Sequence, residues 1–107
     1  MIRLTYYAKR ITIIGLIETF RCADTEMLNK GYSVRRFRSF EESARTRLRR
    51  LDAATTLQDL LATRGNRLEA LKGDRRGQHS IRVNDQWRIC FKWQDGKARD
   101  VEIVDYH

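Results

Sequence analysis

The chain contains no proline, only two cysteines and only two histidines among its 107 residues. Cys22 and Cys90 lie far apart and form no C-x-x-C pair, and His79 and His107 stand at no zinc-ligand spacing to them. A zinc site is therefore poorly supported. Cys90 sits inside an alternating pattern and reads as a small buried side chain. Internal repeats and low-complexity tracts are also absent, and the length suits one domain with one modest core. No apolar run reaches the roughly 20 residues of a membrane span. The stretch Ile11 to Ile17 is short, holds Thr12 and Gly15, and runs into Glu18 with no small-residue cleavage site behind it. No secretory signal and no membrane association are expected, and the cytoplasm is the expected location.

What the chain has in excess is positive charge. Lysine and arginine number 22 against 14 acidic residues, a formal net charge of +8. Such a charge on a small body concentrates polyanions around it, so RNA, DNA or an acidic protein are the first candidate partners. The plainer alternative is charge that only maintains solubility, and charge says nothing about catalysis. Hydrophobic residues make up 41% of the chain, enough for a folded core.

The hydrophobic period changes along the chain. Ile17 to Arg21 alternates as a short strand, and Thr25 to Lys30 reads as a short helix ended by Gly31. Ser39 and Glu42 stand at capping-box spacing before a longer helix. Its apolar stripe is Phe40, Ala44, Leu48 and Leu51, and its other face carries Arg45, Arg47, Arg49 and Arg50. Those arginines read first as a solvated face, with phosphate contacts as the functional alternative. Thr56 opens a further helical turn through Leu57, Leu60 and Leu61. After Asn66 the period becomes two. Leu68 to Leu71 is a strand, and Gly73 to Gly77 a turn. His79, Ile81 and Val83 then alternate with polar residues, as do Trp87, Ile89, Phe91 and Trp93; Val101 and Ile103 begin the last strand. The expected fold is α+β, an antiparallel sheet packed against two or three helices.

Residues opposite each other on antiparallel strands share a face, so the pattern constrains the register. A loop from Asn84 to Gln86 pairs Ile81 with Ile89 and sets Arg82 opposite Arg88. A loop from Asp95 to Lys97 pairs Phe91 with Val101 and Ile89 with Ile103, and the same ladder puts Tyr106 opposite Gln86 on the Arg88 face. Two facing arginines repel unless an anion lies between or above them, and guanidinium groups bind phosphate through a two-pronged fork. The competing reading is that both extend harmlessly into water. His79 lies on the apolar alternation, where a hydrogen-bonded core histidine is the favoured role, and Trp87 and Trp93 on that face read as core.

From about Ile17 to His107 the chain resembles the HigB branch of the RelE-like toxin superfamily. The resemblance is carried by Asn66-Arg67-Leu68-Glu69-Ala70-Leu71-Lys72-Gly73-Asp74-Arg75-Arg76-Gly77-Gln78-His79-Ser80-Ile81, by Gln86-Trp87-Arg88-Ile89, and by the ending Val101-Glu102-Ile103-Val104-Asp105-Tyr106-His107. It implies a RelE-like domain over residues 16–107. It also implies the toxin of a type II toxin–antitoxin pair, which enters the ribosomal A site and cleaves messenger RNA there without metal or other cofactor, using the 2′-hydroxyl of the RNA as nucleophile. The implied partner is a HigA-type helix-turn-helix antitoxin, which inhibits the toxin; operator DNA is reached only through it. Members commonly begin with methionine just before the first strand, where this chain has Leu16. Residues 1–15 are accordingly read as an N-terminal extension, of the kind a start codon assigned too far upstream creates.

Cleavage of this type needs a base for the 2′-hydroxyl, an acid for the leaving 5′-oxygen, and cations for the charge that develops on the phosphate. His107 suits either proton-transfer role because imidazole titrates near neutrality. Tyr106 is suited to stack on a base or orient the ribose, and Asp105 to hold the histidine or accept a proton. The resemblance matches Arg88 and Lys72 to phosphate-stabilising positions, and the register adds Arg82. Glu69 departs from the pattern, since some HigB-type toxins have histidine there. It is the candidate base, or else a surface residue that leaves activity weak. Two other readings stay open: a ParE-like toxin that binds DNA gyrase, and a catalytically decayed member that acts only as antitoxin-binding co-repressor. The Asp105-Tyr106-His107 ending argues against the first, and Glu69 sustains the second.

Overall fold

The computed structural model describes residues 17–106, so His107 and the N-terminal residues 1–16, including the proposed extension, lie outside them. The chain forms helix α1 (Ala23–Asn29), a 3₁₀ turn (Arg35–Phe40), helix α2 (Glu41–Ala53) and helix α3 (Leu57–Ala62). Strand β1 (Glu69–Ala70), a second 3₁₀ turn (Gly73–Arg75) and strands β2 (Gln78–Arg82), β3 (Trp87–Gln94) and β4 (Lys97–Asp105) follow. The strands form an antiparallel sheet in the order β1-β2-β3-β4. This is the α+β arrangement that the switch of period implies.

The alternating apolar residues of the sheet meet the helices on one side. Ile81, Val83, Ile89, Phe91, Val101 and Ile103 are buried against Leu28, Phe37, Ala44, Leu48, Leu51 and Leu60. Each large side chain so buried contributes about 1.5–3 kcal/mol. Phe40 stacks 4.9 Å from Trp87, and Phe37 meets that indole edge-on at 5.8 Å. His79 departs from its expected role. It is half-buried and stacked on Phe91, yet its buried Nδ1 has no hydrogen-bond partner. The strand pairing surrounds it with Ala70 and Phe91, neither of which offers a side-chain donor or acceptor.

Three local expectations are corrected. Ile17 to Arg21 is not a strand of the sheet; it makes isolated parallel bridges to β4 at Ile17 and Phe20. Ser39 does not cap α2. The 3₁₀ turn runs directly into that helix, the amide of Glu41 finds the carbonyl of Arg38, and the N-cap is Phe40 with no side-chain bond. The reciprocal capping box lies instead at Thr56 and Asp59. Finally, β3 and β4 are joined by two residues, Asp95 and Gly96, both at positive φ (52° and 75°), as a tight hairpin turn requires. Continued without interruption, the ladder from that turn would pair Ile89 with Glu102 and mix the faces. A bulge opposite Phe91, with Asp100 at φ 53°, restores Ile89 opposite Ile103.

Candidate functional site

The face of the sheet turned away from the helices carries a transverse row from Glu69 through Ser80 and Cys90 to Glu102, one residue per strand. Beside it runs the row Arg82, Arg88, Val104, so the two arginines do face each other across β2 and β3. They are held separately. Arg82 bonds Asp85 in the following turn. Arg88 donates from Nε to Ser80 Oγ at 2.6 Å and from Nη2 to the carbonyl of Arg67, also at 2.6 Å. Its Nη2 lies 3.7 Å from Glu69 Oε1.

Several local features make this clamp. Ser80 is fully buried, so its hydroxyl meets the guanidinium without competition from water. Arg67 adopts φ 46°, a left-handed conformation. The preceding residue, Asn66, is buried and tied to the rest of the fold: its side chain bonds the carbonyl of Leu60 and receives a bond from Arg50. The guanidinium of Arg88 is thus pinned at Nε and Nη2, and its centre lies 5.8 Å from the ring of Tyr106. Tyr106 is positioned by its amide, which bonds the carbonyl of Gln86 at 2.7 Å.

The structure brings Glu69, Arg88 and Tyr106 together, and sets Arg82 alongside. Asp105 is placed differently. It pairs with Trp87, on the alternate side of the strand from Tyr106, and accepts a bond from Gln86 Nε2 at 3.0 Å. Lys72 is exposed at the entry to the second 3₁₀ turn and makes no ion pair among the described residues. His107, next in the chain after Tyr106, falls outside those residues. Among the described residues no cluster of three or more histidine, cysteine or acidic side chains is placed to hold a metal.

Sequence reading missed Ser80, the carbonyl of Arg67 and the pair Arg75–Glu102. Arg75 folds back from the 3₁₀ turn to bond Gln78 and Glu102 at 3.0 and 3.2 Å. Leu71, just before that turn, is buried, and so is Cys90 beneath this part of the face. Burial raises the Cys90 thiol above its ordinary pKa, against the opposing pull of Arg75 and Arg88. A serine that alternates with apolar residues carries no signal of its own. The opposition of Arg82 and Arg88 was the available clue to a bonded polar row.

Residues 26–107 match the family model described as the RelE-like toxin of type II toxin–antitoxin system HigB. The chain is 47% identical over 60 residues to Toxin HigB-1 of Vibrio cholerae serotype O1, covering 56% of this chain and 63% of that protein. It is 41% identical over 61 residues to Endoribonuclease HigB of Proteus vulgaris, covering 57% and 65% of the two chains. Each match thus spans less than two thirds of the relative.

Proposed function

The chain belongs to the HigB family of RelE-like toxins, and from that premise we propose that it is a metal-independent endoribonuclease that cleaves messenger RNA in the ribosomal A site. A cognate HigA-type antitoxin with a helix-turn-helix domain neutralises it, and operator DNA is engaged only through that partner. The observation that carries the reading is Arg88, clamped by Ser80 and the Arg67 carbonyl beside both Glu69 and Tyr106. A cation fixed before substrate arrives stabilises charge developing on phosphate without reorganising at the moment of reaction.

In the proposed reaction the 2′-hydroxyl of the RNA attacks the adjacent phosphorus. Glu69 takes the hydroxyl proton, and the bond to the 5′-oxygen breaks. His107 donates the proton that this oxygen needs, and a cyclic phosphate and a free 5′-hydroxyl result. Arg88 and Arg82, on the same sheet face, and Lys72 balance charge on the phosphate oxygens. Tyr106 stacks on a base or orients the ribose, and Asp105 holds His107. The test is induction in bacteria of the wild type beside His107→Ala and Arg88→Ala, with transcript ends mapped. Wild-type growth arrest with new cleavage sites in translated messages, lost in both variants, is expected. Arrest without new ends would overturn the nuclease reading, and a DNA-damage response in its place would point to gyrase.

A further inference from the structure

The arginines of α2 do not form one uniform solvated face. Arg45 is committed to the fold: it pairs with Glu41 at 3.3 Å and bonds the carbonyls of Leu28, Gly31 and Tyr32 at and just beyond the end of α1. Arg47 and Arg50 turn the other way, toward the seam between α2, the Asn66 loop and the end of β2. Arg47 donates from Nε to the carbonyl of Arg82 at 3.1 Å and from Nη1 to Ser43 Oγ. Arg50 donates from Nη1 to Asn66 Oδ1. Their bonding partners are neutral oxygens, and neither arginine has an acidic partner among the described residues. The remaining guanidinium nitrogens keep donors to offer.

We propose that Arg47 and Arg50, with Arg82 closing the seam, form a second RNA phosphate-binding site beside the Arg88 clamp. Arg82 has Asp85 as its counterion, but Arg47 and Arg50 have none among the described residues; like charges so gathered cost stability, and an arriving phosphate removes that cost. The electrostatics agree: partial burial and the neighbouring Arg50 and Arg82 lower the pKa of Arg47 from its ordinary value. RNA is favoured over an acidic protein by continuity. Arg82 contributes its carbonyl to this seam and its side chain to the row that contains Arg88, so one backbone can run from one site to the other. The site goes beyond the cleavage chemistry, while the choice of RNA as its occupant rests on the proposed reading of the Arg88 row.

The test measures binding of the full chain to a fluorescent single-stranded RNA carrying 2′-O-methyl groups, which cannot be cut through its 2′-oxygens, over a salt series. Neutralising two phosphate contacts in the variant Arg47→Gln/Arg50→Gln is expected to flatten the log–log salt slope by about 1.4. That corresponds to about sevenfold less affinity lost between ~50 and ~200 mM salt. Arg50→Gln alone, which leaves the Arg47 bond to β2 intact, is expected to give about half the slope change, and thermal melts of both variants verify folding. Arg99→Gln, at the far end of β4, serves as the control for a lost charge and is expected to leave the slope near the wild-type value. A wild-type slope in the folded double variant, or an equal change in Arg99→Gln, would overturn the proposal. Wild-type RNA binding combined with loss of an acidic partner protein would make the seam a protein-docking surface and overturn it equally. Because this RNA is not cleaved, failure here is distinct from failure to find new transcript ends.

Discussion

Replacing Arg88 with lysine keeps the charge and removes the fork. The native side chain satisfies Ser80 Oγ through Nε and the Arg67 carbonyl through Nη2, both at 2.6 Å. A lysine ammonium sits on a differently shaped stem and cannot reproduce both directions. Losing one charge-assisted hydrogen bond costs about 1.5–3 kcal/mol when the abandoned group stays dry. Water can reach the exposed Arg67, so the expected loss of folding stability is nearer ~1 kcal/mol. On the proposed function, the expected catalytic loss is larger. Removing one preorganised transition-state donor costs about 2.7–4 kcal/mol, or about 10²–10³ in rate. RNA binding depends on charge count and is expected to keep its wild-type salt slope. Denaturant melts, an RNA-binding salt series and mapped cleavage in translated messages read the three quantities separately. Cleavage within about threefold of wild type in Arg88→Lys would show that a point charge suffices and would refute the argument from the clamp.

Four further outcomes follow from the same geometry. Glu69→Gln is expected to lower cleavage by about 10²–10⁴; unchanged or faster cleavage would mean that Glu69 only neutralises Arg88. His79→Phe removes the unpartnered Nδ1 and keeps a ring against Phe91, so unfolding should become harder by about 1 kcal/mol; no gain in the melting midpoint would count against a buried unsatisfied nitrogen. Bonds from Thr55 and Thr56 hold the Asp59 carboxyl below its ordinary pKa. Its stabilisation is therefore present above the unfolded-state pKa and is lost as pH falls through the folded one, so the stability gap between wild type and Asp59→Asn should close in acid; a gap independent of pH refutes this. In the native protein a thiol reagent should modify half-exposed Cys22 and spare Cys90; equal rates would show that Cys90 is reached in the folded protein and refute its burial.

The parts of the fold that the sequence made legible are those where one periodicity dominates. Alternation through Ile81, Val83, Ile89 and Ile103 determined the faces because a slip of one residue would send every apolar side chain to solvent. The same force explains why Ile89 meets Ile103 as expected although the turn has a different length. Burial fixes which residues must face the helices, and the chain meets that demand with a two-residue turn and a bulge at Asp100. Capping was less legible. Ser39 has the right spacing, but a 3₁₀ turn supplies backbone carbonyls that no residue pattern announces. In the site, the opposition of Arg82 and Arg88 was readable from alternation. The bonds that fix Arg88 were not, because the Arg67 carbonyl is brought there by a loop whose shape depends on buried Asn66.

Asn66 joins these observations into one structural argument. Its side chain accepts a bond from Arg50 and donates to the Leu60 carbonyl, while its own carbonyl accepts the amide of Arg82 at 2.6 Å. One buried residue therefore connects α2, α3 and β2, and the next carbonyl along, that of Arg67, holds Arg88. Asn66→Ala would leave the Leu60 carbonyl without this donor and release Arg50. An unsatisfied buried group costs about 1–3 kcal/mol, and the freed loop would no longer aim the Arg67 carbonyl at the guanidinium. The substitution should therefore reduce stability and cleavage together, although Asn66 reaches no substrate. Arg88→Lys differs in sparing stability more than activity. If Asn66→Ala melts like wild type yet still loses cleavage, Asn66 acts on the reaction directly, and its place as the support of the clamp is wrong.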